Sequence, residues 1–457
     1  MKKINNNFLL ISLACLPSIF ISLFYYLVTN GHFFSDIGIH YDGKFILAAE
    51  QILDTGFYTD NYYLPLYPYF LAFFFKVFGT NLIYPLLFNI LLHGVTAFML
   101  ANIAKNFNSK WFYPTLIFSS FWPHLIWRTT YIYAETLFIF LIVSSLFFLF
   151  NFFNKKKVYY LIASSLFLGF SLITKGSNIL LIFVLPILLF FIIKKKITNN
   201  YLDSFKFVFI YIFIFIFIIS FQFLRIYKET GYFGYSYQTG NRLYSYIYPC
   251  LASKFGCGKK DINAVNKANA LYEEEKRKLK VNQIENYYYK DIIQKRIAIK
   301  LINELEFSQI FTASFGGYLK LFFHNFTYEV FERLNIKSLH LSEFAGNIFV
   351  KTQSMINKIF KEEKMMIIWL IAQLFLFLSR FVQLIGFINL FNLKNKVYEF
   401  LLLLIFFIPI LFPVLSLGTP RYRAPLEPFL IILTISGLFF IRKVIYKKKL
   451  RLKNKNK

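Results

Sequence analysis

Acidic residues are scarce in this sequence. There are 23 Asp and Glu against 51 Lys and Arg, and charged residues make up only 16% of the 457. A soluble domain averages about 25% charged residues, so the shortage excludes an ordinary water-soluble fold. Cysteine is scarce too: the chain has three, too few for a disulfide framework or a cysteine-built metal module. There is no P-loop, dinucleotide fingerprint or serine nucleophile elbow. Internal repeats, heptad runs and low-complexity linkers are also missing. What is present is apolar: 57% hydrophobic and 21% aromatic residues, with 62 Phe and 32 Tyr and a mean hydropathy of +0.52. The aromatic excess reads as lipid-facing bulk and interfacial anchoring.

The net charge of +28 does not indicate nucleic acid, because the basic residues form short clusters between apolar runs. A membrane span needs about 20 mostly apolar residues. Candidate spans fall at 8–28, 82–104, 111–127, 131–153, 158–174, 177–193, 205–226, 366–390, 397–418 and 424–441. The first follows Lys2 and Lys3, is longer than a signal-peptide core and has no small-residue cleavage site after it, so it reads as a retained span. The segment 366–390 is interrupted by Arg380. The expected fold is therefore an all-α polytopic membrane protein with about ten transmembrane helices.

Lysine places the ends. With the N-terminus inside, alternate turns carry Lys105 and Lys110, Lys155 to Lys157, Lys194 to Lys196 with Lys206, Lys394 and Lys396, and the tail from Arg442 to Lys457. The opposite turns hold isolated cations: Lys44, Lys76, Arg128, Lys175, Arg421 and Arg423. The positive-inside rule then puts both termini in the cytoplasm of an inner (plasma) membrane protein. Three units follow: an N-terminal membrane module over 1–226 with an outer loop at 29–81, a partly helical outer loop domain over 227–365, and a C-terminal membrane module over 366–457. Cys250 and Cys257 lie in the large loop, where export allows a disulfide and a reduced pair is equally consistent.

Three outer constellations can carry chemistry. The first loop holds Asp36, Asp42, Glu50, Asp54 and Asp60, and acids at a membrane rim must be solvated, paired or used. Asp42-x-x-Phe45-x-x-Ala48 followed by Gly56 marks a short amphipathic helix, and Pro65-Leu66-Tyr67-Pro68 a rigid re-entry. The second is Trp122-Pro123-His124 through Arg128, then Tyr133-Ala134-Glu135-Thr136-Leu137-Phe138. Glu135 opens an otherwise apolar helix and needs a partner, and Lys175 sits at the corresponding outer end of the next hairpin. The third is Arg421-Tyr422-Arg423-Ala424-Pro425-Leu426-Glu427-Pro428-Phe429, whose guanidiniums suit phosphate or anchor the last span. His32, His40 and His124 lack metal-ligand spacing, so no metal or cofactor is expected.

In their order along the chain, these motifs resemble the membrane-embedded GT-C glycosyltransferases, nearest the group of protein O-mannosyltransferases and lipid A aminoarabinose transferases. The resemblance implies a GT-C-like fold. It also implies a polyprenyl-phosphate-linked sugar as donor, chemistry on the exoplasmic face, and a lipid, glycan or protein acceptor. Carried over by position, Asp42 is the general base or acceptor-orienting acid, with Asp36 as runner-up. Arg421 and Arg423 would lie near the donor phosphate, and Glu135 would order the site through a hydrogen bond. Lys175 and Arg128 are the other outer cations available to a leaving phosphate, and Tyr67 in the matching Pro-Leu-Tyr-Pro run joins the substrate-binding set. Leu64 stands where aminoarabinose transferases have Lys, and Asp42 is followed by Gly43 rather than a second acid, both departures from the lipid A pattern. No sugar-binding-like module appears in the large loop. The alternatives are a flippase for a lipid-linked saccharide, for which paired repeats and broken midplane helices are lacking, and a saccharide ligase or polymerase with its site in 227–365.

Overall fold

The computed structural model describes residues 2–28, 39–59, 63–253, 261–280, 283, 286–324, 327, 329–330, 364–411 and 420–455. All regular structure among them is helical, as expected where lipid leaves backbone groups no other partner. The N-terminal module runs α1 (Lys2–Val28), α2 (Ile39–Thr55), α3 (Leu66–Phe78), α4 (Ile83–Lys105), α5 (Phe112–Ser120), α6 (Pro123–Thr129), α7 (Ala134–Lys155), α8 (Val158–Thr174), α9 (Leu181–Ile193) and α10 (Tyr201–Thr230). The large loop contributes α11 (Ile262–Arg277), α12 (Tyr287–Asn303) and α13 (Phe307–Phe323). The C-terminal module is α14 (Lys364–Phe391), α15 (Val397–Leu411) and α16 (Glu427–Lys455).

Among the described residues, six helices are long and apolar enough to cross a bilayer: α1, α4, α7, α10, α14 and α16. Leu66–Phe78, Val158–Thr174 and Val397–Ile408 are shorter apolar helices. The structure departs from the expected spans in three places, each for a local reason. The segment 111–127 is not one helix, because Pro123 starts α6 and Trp122 before it is extended (φ −70°, ψ 111°), the conformation that a following proline favours. The stretch 177–193 opens with a 3₁₀ turn, Gly176–Asn178, before α9. The first loop contains an unexpected apolar helix, α3.

α2 and α3 form a hairpin. Phe45, Ala48, Ala49 and Ile52 are buried at helical spacing, one stripe of α2. Gly56 closes that helix at φ +78°, donating to Ile52 O at 2.9 Å, a left-handed position suited to glycine. Pro65 and Pro68 start α3, which buries Tyr67, Leu71 and Phe75 against α2. Arg225 of α10 donates to Tyr58 O at 3.0 Å and lies 4.9 Å from the Tyr58 ring centre. The hairpin is thereby pinned to one end of the bundle.

The main core joins α4, α7, α8, α9, α10, α15 and α16. On α10, Phe205, Phe209, Phe213, Phe217 and Phe221 stay exposed, a stripe with period four that suits lipid contact. α14 meets α16 so closely at Gly386 and Gly437 that a Cβ on Gly386 would lie 1.8 Å from Leu433 O. Small residues permit such approach in membranes.

The loop helices have a small core of their own around Tyr244, Ala268, Ile297 and Leu301. Asp261 and Asn286 cap α11 and α12 by accepting from Ala264 N and Tyr288 N, a common helix-start device. Cys250 is disulfide-bonded; Cys257 lies outside the described residues. α13 ends against the C-terminal module. Its last carbonyls accept from Arg423 Nη1 (Leu321 O, 2.7 Å) and Arg380 Nε (Phe322 O, 2.9 Å). Guanidiniums at a helix C-terminus satisfy its orphan carbonyls and its dipole, which accounts for Arg380 within an apolar span.

Candidate active site

Glu135 organises one end of the bundle. It lies in the first turn of α7, where the helix dipole favours an acid. Its side chain is only 2% exposed, and Oε1 accepts from both Arg421 Nε at 2.8 Å and Lys175 Nζ at 3.1 Å. Such charge-assisted bonds are the strong ones. The Arg421 guanidinium lies 4.2 Å from the Tyr133 ring centre, and Lys175 lies 5.6 Å from that of Tyr422. Lys175 is placed by the end of α8, in extended backbone (φ −152°, ψ 120°). Burial lowers its pKa from the usual lysine value, with Glu135 opposing and Arg421 and Arg242 adding to the fall.

These groups open onto a cavity of about 170 Å³. Phe45, Tyr63 and Leu64 of the first-loop hairpin line it, as do Gln238, Arg242 and Tyr246 of the large loop. Lys175, Arg242 and Arg421 oppose the single carboxylate of Glu135 there, so the lining is net positive. Its volume is below the roughly 300–1,000 Å³ of drug-sized ligand pockets and matches a phosphate or one sugar rather than a whole lipid-linked substrate.

A second, drier cluster lies beside it. Glu427, 1% exposed, accepts from Trp122 Nε1 (2.8 Å), His124 Nδ1 (2.9 Å) and Arg423 Nε (2.7 Å). Arg128 Nη2 donates to His124 Nε2 at 3.1 Å and to Glu329. A guanidinium can only donate, so the His124 proton sits on Nδ1, directed at Glu427. Arg423 Nη1 also reaches Leu321 O and His324 O. The two arginines part company because Pro420–Leu426 is a 3₁₀ turn. At three residues per turn, side chains two apart point about 120° away from each other.

The structure thus brings Glu135, Lys175 and Arg421 to one cavity and puts Arg128 and Arg423 in the neighbouring cluster. Tyr67 is fully buried, its ring 5.0 Å from that of Phe45, one layer behind the cavity wall. Asp36 and the side chain of Asp42 lie outside the described residues. Asp42 falls in α2, one turn before Phe45. Sequence reasoning missed Arg242, Gln238 and Tyr246, since nothing distinguishes them among the polar residues of the large loop. It also gave no role to Glu427, although that acid sits inside the last motif. Among the described residues, no group of three His, Cys, Asp or Glu side chains could hold a metal ion.

Residues 64–222 match the family model of dolichyl-phosphate-mannose-protein mannosyltransferases. The match supports membership in the GT-C-like mannosyltransferase group, and hence a membrane-embedded glycosyltransferase drawing on a polyprenyl-phosphate-linked sugar. It spans Glu135 and Lys175 and stops short of Asp42 and Arg421. No curated protein matches the chain.

Proposed function

From that match we propose that the chain transfers a sugar from a polyprenyl-phosphate donor to an acceptor hydroxyl on the extracytoplasmic face, with inversion at the anomeric carbon. The observation that carries this reading is the cavity where Arg421 and Lys175 pair with Glu135 and Arg242 shares the lining. It lies at the helix ends opposite the lysine-rich turns, which the positive-inside rule assigns to the exterior.

A phosphate-linked sugar is already activated, so the protein must align the acceptor, take its proton and stabilise the departing charge. The acceptor oxygen attacks the anomeric carbon as the bond to the phosphate oxygen breaks. The acceptor proton passes to Asp42, with Asp36 the alternative base, and the phosphate leaves with its electron pair toward Arg421, Lys175 and Arg242. One displacement with one base inverts the centre. Glu135 positions two of the three cations. Arg423, His124 and Arg128 act at one remove, fixing the turn that carries Arg421.

The test supplies purified full-length chain with a polyprenyl-phosphate sugar or the matching nucleotide sugar. Transfer is expected from the lipid-linked donor alone, and Asp42→Asn should slow it by about 10²–10⁴-fold, the usual worth of a general base. Equal use of the nucleotide sugar would overturn the reading, and full activity of Asp42→Asn would remove that residue from the mechanism.

A further inference from the structure

A far larger cavity, about 930 Å³, lies at the opposite, lysine-rich end of the bundle. It is lined by the end of α14, by α16 and by the turn between α4 and α5. Its walls are apolar, with Phe107, Leu393 and Phe439 among them. Its polar rim is of one sign: Lys110, Arg442, Lys443 and Lys449 line it, and no Asp or Glu does. At its inner wall, Trp111 is 2% exposed, and its indole Nε1 has no hydrogen-bond acceptor among the described residues. A buried donor left unbonded is costly, so an acceptor belongs nearby.

We infer that this cavity is a binding site for an anionic phospholipid of the cytoplasmic leaflet. Four cations without a neighbouring carboxylate select a headgroup of net negative charge, and apolar walls select an acyl chain attached to it. A soluble phosphate satisfies only the first, and a zwitterionic lipid only the second. Basic clefts between spanning helices on the cytoplasmic side suit such headgroups. The site is remote from the sugar-transfer cavity and depends on none of its residues.

Native mass spectrometry on the full-length chain in neutral detergent tests the assignment, with dioleoylphosphatidylglycerol, dioleoylphosphatidylcholine and glycerol phosphate as probes. Phosphatidylglycerol should be retained, and the other two lost under the same activation. Replacing Lys110, Arg442, Lys443 and Lys449 by Gln should weaken its binding more than about tenfold. Lys447→Gln/Lys448→Gln/Arg451→Gln, which removes three charges from the same helix outside the cavity, should leave binding within about twofold. Leu438→Trp, which narrows the apolar part of the cavity and keeps every charge, should also weaken retention of the lipid. Equal loss in the tail variant would reduce the effect to general attraction to a basic tail and overturn the site. Equal retention of phosphatidylcholine, or full competition by glycerol phosphate, would overturn it as well.

Discussion

Arg421→Gln is the sharpest perturbation of the transfer site. The guanidinium does two things: Nε neutralises Glu135 at 2.8 Å, and the side chain, 27% exposed, borders the cavity. Removing one preorganised donor to a developing oxyanion typically costs about 10²–10³-fold in rate, about 2.7–4 kcal/mol. A loss of that size in kcat/KM is expected for sugar transfer from the lipid-linked donor. Charge neutralisation alone also predicts a loss, because Glu135 would be left buried with Lys175 as its remaining direct ion-pair partner among the described residues. The double variant Glu135→Gln/Arg421→Gln separates the two. If Arg421 merely cancels Glu135, removing both restores most of the activity, since replacing a whole buried pair is often nearly neutral. If Arg421 stabilises the leaving phosphate, the double variant stays slow while thermal stability recovers. The assay is a time course of transfer at saturating and limiting donor, with melting temperature measured alongside. Activity of Arg421→Gln within about threefold of wild type, or full rescue by Glu135→Gln, would refute the reasoning.

Other outcomes follow from the packing. Glu427→Gln strips one buried carboxylate from Trp122, His124 and Arg423, and a loss of about 3–5 kcal/mol is expected, read as a lowered melting temperature. Gly386→Ala puts a Cβ against the Leu433 carbonyl, a backbone atom that cannot swing aside. It should cost at least about 1–3 kcal/mol, whereas Gly316→Ala, with open space around it, should cost much less. In the large loop, burial raises the Asp291 pKa from 3.8, so the folded loop holds this proton more tightly than the unfolded chain. The stability it contributes is then fully present below pH 3.8 and is lost as pH rises through the raised value. Asp291→Asn keeps an acceptor for Gly240 N and should flatten that part of the pH–stability curve, measured by thermal unfolding across acidic pH.

Sequence by itself determined the solvent, the helices and the uneven sharing of lysine between the two ends. Apolar runs near bilayer length can only be helices in lipid, and one-sided lysine distribution is a property of the chain, independent of packing. Glu135 and Lys175 were legible for the same reason, since an acid opening an apolar helix demands a cation at its own level. Tertiary structure alone decided how the cations divide. The arginines of Arg-Tyr-Arg look equivalent in a string, yet a 3₁₀ turn sends one to a cavity and the other to α13's carbonyls. Arg380 read as an interruption until those same carbonyls supplied its partner. The α3 helix was hidden because thirteen mostly apolar residues fall short of a span, and only contact with α2 makes them a hairpin. Arg242 came from a loop without periodic signal. Proximity between residues hundreds of positions apart arises from packing, and no local pattern encodes it.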